Sequence, residues 1–249
     1  MKRQTVNPHS ELYSQLQKAT EIFNDKLFGG ELNLVVLTLQ RGKNTAGYFS
    51  PDQWSNTHGK LASEIAINPT YLANQSLLVL FQTLVHELCH LWQHQRGLSH
   101  PRSGYHNQEW AEKMMEVGLI PSNTGKPGGK RVGQRMADYP APSGKFIKVS
   151  NELVKSGFGL KWVDRDFKSR EISCRTIPVE VEDELNRPLL DSFPELAPLT
   201  KNGRELKRKI KYCCPECGAK VWGKSGLSII CEGCNLKLLS EASEAWHTV

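Results

Sequence analysis

Residues Ser76 to Gly97, SLLVLFQTLVHELCHLWQHQRG, constrain this chain more than any other stretch. Leu77, Leu78, Leu80, Phe81, Leu84, Val85, Leu88, Leu91 and Trp92 are apolar almost all round a helical wheel, so the spacing predicts a buried helix. Asn74 or Ser76 can cap its start and Gly97 can end it. Inside it His86, Glu87 and His90 spell H-E-x-x-H. Positions four apart share a helix face, so both imidazoles can reach one metal ion, and neutral imidazoles suit Zn²⁺. Glu87 follows the first histidine, where its carboxylate can take a proton from an attacking water. The pattern also arises by chance, as two core histidines beside an exposed Glu. On so apolar a helix that arrangement would bury uncoordinated polar groups at roughly a few kcal/mol. A catalytic-type metal site is the stronger reading.

A catalytic zinc needs a third protein ligand and an open position. Candidates by residue type are His94, His100, His106, Glu109 and Glu112. The metzincin spacing would require a histidine at position 96, which is Arg96, so that class is excluded. His94 lies one further turn along the same straight helix, and a helix cannot wrap three successive turns around one small ion. His100 stands in a loop before Pro101. His106 opens the next helical segment, from which a loop can fold it back over the first. Glu109 and Glu112 are the gluzincin-style alternative. Geometry puts His106 ahead and leaves the others open.

Around this helix the pattern is mixed. Ser10 to Phe28 is an amphipathic helix stopped by Gly29-Gly30. Leu32 to Leu39 is a short β-branched strand, Gly47 to Trp54 a weaker one, and Leu61 to Ile67 alternates as a third. If the third is an edge strand, an extended peptide can pair with it. His106 to Val117 reads as a second helix. The fold class is therefore α+β: a compact domain over 1–120, built from a helix, a three-stranded sheet, the metal helix and a second ligand helix.

Composition then shifts. Pro121 to Lys145 is crowded with Gly, Pro, Ser and Lys and reads as a linker or mobile loop. Phe146 to Val163 contains strand-like pieces, FIKV and FGLKWV, and Glu180 to Glu195 is acidic and Pro-punctuated, the composition of a solvated, partly disordered segment. Residues 121–200 are thus a linker or insertion of uncertain structure, before a small β unit over 201–240.

That unit carries two C-x-x-C pairs, Cys214 with Cys217 and Cys231 with Cys234, separated by thirteen residues. Four thiolates close a coordination shell, so this is a structural Zn²⁺ site, a four-cysteine zinc ribbon. Lys220 to Trp222 and Leu227 to Ile230 would be the strands of its hairpin. Cys213 is one residue out of spacing, and Cys89 and Cys174 read as core or neutral thiols. The run KNGRELKRKIK precedes the ribbon, and the whole chain carries a net charge of +6. Lys207, Arg208, Lys209, Lys211, Lys220 and Lys224 can meet phosphates, and Trp222 can either stack on an unpaired base or cover the ribbon core. The expected partners are a protein substrate and DNA, single strands preferred. No membrane is expected, since no apolar run approaches ~18 residues. With no apolar leader in MKRQTVNPHSELYSQL, a cytoplasmic location follows, at a nucleoid or, in a eukaryote, in the nucleus.

FNDKLFGGELN, VHELCHLWQ, YHNQEWAEKM and the ribbon KYCCPECGAKVWGKSGLSIICEGCN together resemble the SprT-like (Spartan-related) family of zincin metalloproteases. In that family a His in an H-x-x-E-F/W context completes the zinc site. The resemblance therefore implies that His106, in HNQEW, is the third ligand beside His86 and His90, with Glu87 as general base. It also implies cleavage of DNA-crosslinked proteins, activated by DNA, in DNA repair. Two zinc ions, one catalytic and one structural, would be the cofactors. Tyr105 is a candidate for the oxyanion. The rival is a nucleic-acid-associated zinc-ribbon factor whose protease-like domain is inactive. Glu87 argues against it, because metal binding alone does not need that carboxylate.

Overall fold

The structure is a computed structural model of the chain and describes residues 7–42, 45–72, 75–97, 104–164, 183–193, 210–223 and 227–240. The chain divides into two compact units, Met1–Pro194 and Glu195–Val249.

In the first unit, helix α1 (Pro8–Phe28) starts where the Asn7 side chain accepts from the amides of His9 and Ser10. It stops at Gly29, whose φ of 66° suits a residue without a Cβ. Strands β1 (Val36–Leu39), β2 (Gly47–Ser55) and β3 (Leu61–Ile67) form a sheet in the order β1-β3-β2, with β3 parallel to β1 and antiparallel to β2. β3 is therefore the central strand, not an edge. The chain lays β2 at the far side before β3 fills the gap, and β2 is left as an edge. The alternation of β3 sorts its faces. Ile65 and Ile67 join the core, while Glu64 turns away to accept hydrogen bonds from Thr38, Gln40 and Trp54.

A short turn of helix, α2 (Pro69–Leu72), leads to α3 (Leu77–Gln95), the apolar helix, which is the centre of the core. Next come β4 (Tyr105–His106) and α4 (Gln108–Val117). His106 does not open the helix. Asn107 is its N-cap, accepting from the Trp110 amide at 3.1 Å, and this leaves His106 in extended backbone just ahead of it.

The stretch expected to be a linker is folded. β5 (Leu119–Ser122) pairs with β7 (Ala137–Pro140), and β6 (Gly133–Gln134) pairs with β4. FIKV is not a strand but the start of α5 (Lys145–Lys155). The buried positions Phe146, Ile147, Ser150, Leu153 and Val154 follow helical spacing, which a four-residue window hides. Phe146 stacks on Phe23 at 6.2 Å between ring centres, and Phe158 meets Phe81 edge-on at 5.0 Å. The core of the first unit thus extends well past position 120. Within the acidic segment, α6 (Asp183–Asn186) and a 3-10 turn over Leu189–Ser192 are ordered because Leu185 and Leu189 are buried and the Leu189 amide bonds to the Gln75 carbonyl.

In the second unit, β8 (Ile210–Cys213) pairs with β9 (Lys220–Gly223) and with β12 (Leu239–Ser240), while β10 (Ile230–Cys231) pairs with β11 (Leu236–Lys237). The expected hairpin between 220–222 and 227–230 does not form. Each C-x-x-C is itself the turn of a hairpin, so the strands flanking one knuckle pair with each other. Gly218 and Asn235, at φ 69° and 53°, close the two knuckles. Tyr212, Cys214 and Leu238 are the buried centre, with Val221 and Ile229 against it.

Candidate metal centres

α3 places His86 and His90 one turn apart, and β4 brings His106 against them. One ring nitrogen from each lies within 4.8 Å of the others. His86 Nε2 and His106 Nε2 are 3.2 Å apart. Tetrahedral ligands at Zn–N ~2.0–2.1 Å would stand ~3.3 Å from one another. Trp110 of α4 packs against all three imidazoles, its ring centre 4.8, 5.4 and 4.3 Å from those of His86, His90 and His106. Phe49 of β2 stacks beside His90 at 6.4 Å.

The electrostatics suit a cation. Burial pushes His90 well below the usual imidazole range, and the neighbouring His86 and His106 push it further. Burial, then His86, brings His106 down to about 4. Both are neutral near pH 7, with lone pairs to offer. His86 differs. Burial pulls it down, but the hydrogen bond to Asp138 and the charges of Glu87 and Asp138 outweigh that pull and raise it.

Asp138 is the residue that sequence reasoning missed. It lies on β7, inside the supposed linker, and its Oδ2 is 3.1 Å from His86 Nδ1. Gln82, one turn before His86 on α3, donates to the other oxygen, Oδ1, at 3.0 Å. With Nδ1 donating to this carboxylate, the neutral form of His86 presents a bare Nε2 toward His106. Such carboxylate–histidine pairs orient metal ligands and raise their basicity. No local pattern in GQRMADYP announces this role; only the β5–β7 pairing brings Asp138 to α3.

The other third-ligand candidates point elsewhere. His94 Nε2 meets Asp52 Oδ2 at 3.0 Å. Glu109 accepts from Gln93 and Asn107, and Glu112 from Gln108. His100 lies outside the described residues. Tyr105 sits in β4 opposite Gln134. Glu87 is buried beside the histidines. Burial raises its carboxyl, the charge of His86 opposes the rise, and Asp138 adds to it.

The four ribbon sulfurs of Cys214, Cys217, Cys231 and Cys234 also lie within 4.8 Å of one another, with Cys217 and Cys231 at 3.6 Å. The Cys217 amide leads in lowering Cys214 to about 7, while the Cys217 thiol leads in raising Cys234 to about 12. Four thiols so placed lose their protons together only if a cation neutralises them. The donor set fits Zn²⁺, whose thiolates at ~2.3 Å would stand ~3.8 Å apart. Cys213 Sγ is turned instead toward the carbonyls of Cys214 and Gly218. Cys89 is buried in the core of the first unit, and Cys174 lies outside the described residues.

Of the expected nucleic-acid residues, Lys220 and Trp222 are exposed on β9. Trp222 is 59% exposed and does not cover the ribbon core. Lys211 is in β8, and Lys207, Arg208, Lys209 and Lys224 lie outside the described residues. Among the described residues no helix is long and apolar enough to cross a membrane.

A buried glutamate thus stands beside three converging histidines, two of them from one helix, whose ring nitrogens lie close enough together to hold one metal ion. Residues 16–126, somewhat under half of the chain, match the model of the SprT-like family, which is associated with zinc-metallopeptidase-type domains. A protein of Salmonella typhimurium described as an uncharacterized protein in the mucB 3′ region is 51% identical over 49 residues. That match spans 19% of this chain and 66% of the relative, slightly less than two thirds of its length. No solved structure matches the chain.

Proposed function

We propose that this chain is a zinc-dependent endopeptidase that acts on proteins associated with or crosslinked to DNA. It would hold one catalytic zinc on His86, His90 and His106 and one structural zinc on Cys214, Cys217, Cys231 and Cys234. The observation that carries the reading is the buried Glu87 beside three imidazole nitrogens that face one another. Zinc held there supplies Lewis acidity toward a water and the scissile carbonyl. Asp138 keeps the His86 ring turned inward. Glu87, its carboxyl raised by burial, takes a proton from the attacking water and returns it to the leaving amine nitrogen. β2 is a sheet edge beside His90, so an extended substrate pairs with β2 rather than with the central β3. The exposed Trp222 and Lys220 of the ribbon, and the basic run before it, support DNA as the partner that brings the enzyme to its substrates.

The test is cleavage of the chain itself and of a protein crosslinked to DNA, each with and without single-stranded DNA. Wild type should cut, and faster with DNA. Glu87→Gln should keep its zinc and lose cutting, because an amide cannot accept the proton. Equal cutting by the two proteins would remove Glu87 from the reaction. DNA-independent cutting would leave a general peptidase.

Chelation should separate the two metals. The histidine site keeps a position open and the thiolate site does not. Mild chelation is therefore expected to remove about one of two zinc ions and all cleavage, while the ribbon stays folded. A single zinc ion in freshly purified protein would contradict the two-site assignment.

A further inference from the structure

The loop between β5 and β6 has no part in the function described so far. From Asn123 to Gln134 it reads NTGKPGGKRVGQ, and Arg135 follows. Lys126, Lys130, Arg131 and Arg135 are all exposed, and no acidic residue lies between Gly118 and Ala137. None of the four makes an ion pair with a described residue. Composition alone makes such a stretch a solvated connector. The structure makes it a built loop.

Its base is closed twice at one pair of residues: the Asn123 amide donates to the Lys130 carbonyl at 2.9 Å, and the Lys130 amide donates to Asn123 Oδ1 at 2.8 Å. The Ser122 hydroxyl, itself buried, donates to the Lys126 carbonyl at 2.6 Å and receives the Thr124 amide. The Gly125 amide bonds back to the Ser122 carbonyl. Gly129 packs so closely on this frame that a Cβ there would collide with Ser122 Oγ and Asn123 Oδ1. The uncharged polar side chains of the loop are thus spent on holding its shape, and its cations are exposed, with Arg131 Nη1 also donating to Met115 Sδ at 3.4 Å. Cations on a rigid frame lose less entropy when they meet an anion than the same cations on a floppy chain.

The loop also has a defined neighbour. It returns into β6, where Gly133 pairs with His106, and Arg135 donates its amide to the Gly104 carbonyl. Asp138, the partner of His86, follows on β7. An anion on this loop lies next to the segments that carry one expected metal ligand and the support of another.

We propose that the loop over residues 122–135 is a phosphodiester-binding site on the protease unit itself, separate from the ribbon, through which Lys126, Lys130, Arg131 and Arg135 hold the DNA backbone beside the cleavage site. The identity of the polyanion rests on the DNA-directed reading above. The loop presents charge and carries no aromatic residue between Asn123 and Arg135, so it meets the backbone and adds affinity without sequence preference.

The experiment uses the full chain with zinc bound. Fluorescence anisotropy with a single-stranded oligothymidylate and with a mixed-sequence duplex is run across a salt series, for wild type and for the variant Lys126→Ala, Lys130→Ala, Arg131→Ala, Arg135→Ala. Removing four cations that each neutralise one phosphate of a single strand reduces the slope of log K against log salt by about 3, with at least roughly tenfold weaker binding. In the wild type, oligothymidylate should also slow amide hydrogen exchange over 123–135, a readout that needs no variant. Unchanged affinity and slope in the variant, or no protection of those amides, overturns the loop site while leaving the ribbon reading intact. If wild type binds neither DNA at any salt, the DNA-directed reading fails, and the loop proposal falls with it. Protection by an acidic polypeptide but not by DNA would likewise overturn the assignment to phosphodiester.

Discussion

His106→Ala should cost the chain one zinc ion and its cleavage activity while leaving the ribbon zinc in place. The reason is that no described residue stands ready to replace it. Glu109 is held by Gln93 and Asn107, Glu112 by Gln108, and His94 by Asp52. Two imidazoles from one helix would remain, too few for a closed three-ligand set. Glu109→Ala is the control and should keep both ions. Zinc content by elemental analysis and affinity by competition with a chelating dye report the result. Full zinc affinity in His106→Ala together with its loss in Glu109→Ala would replace the histidine by the glutamate as third ligand. Asp138→Ala should fall between, weakening the site by about 10–100-fold, because His86 keeps its nitrogen but loses the carboxylate that orients it. Unchanged affinity in that variant would make Asp138 a bystander.

The two sites differ in how much of them could be read before the fold was known. H-E-x-x-H was legible as a pattern because the two proposed ligands and the proposed base lie within about one helical turn, on a helix whose apolar character is itself a strong signal. The ribbon cysteines were legible for the same reason: their spacing is local. β3 was legible to the residue, because alternation over seven positions has one solution. Its place in the sheet was not, since a parallel pairing of β1 with β3 across β2 leaves no trace in either strand. His106 was the geometric favourite among five candidates, and the resemblance implied the same residue. Asp138 was invisible. It reaches His86 only through β5–β7 pairing, in a stretch whose glycines and prolines look like a linker and act as turns. α5 was hidden by a different error. FIKV alternates two β-branched residues within four, but the burial that decides its structure repeats over eleven. Tertiary burial outweighs local propensity there.

The misread stretch makes the largest prediction about stability. Phe146 is fully buried and stacks on Phe23 of α1, which in turn meets Phe81 of α3 edge-on at 5.2 Å. Removing that ring should cost the first unit about 3–5 kcal/mol, from lost burial and the cavity left behind. Domains have only about 5–15 kcal/mol in total, so Phe146→Ala should lower the denaturation midpoint severely. Lys148→Ala, on the exposed side of the same helix, should change it by less than about 0.5 kcal/mol. A chain ending at Ile120 should fare worse than either. It would lose Phe146, Ile147, Leu153, Phe158 and Leu160 from the core, together with the β6 partner of His106 and the carboxylate of Asp138. Such a chain is expected to show no cooperative unfolding and to bind no zinc at the histidine site. A chain ending after Asp164 keeps all of these residues and should restore both properties. Urea melts followed by circular dichroism, with zinc measured in parallel, compare the four proteins. If the 1–120 fragment melts cooperatively and holds zinc as tightly as the longer one, the residues after 120 are an appendage to the fold and not part of the core that carries the histidine site.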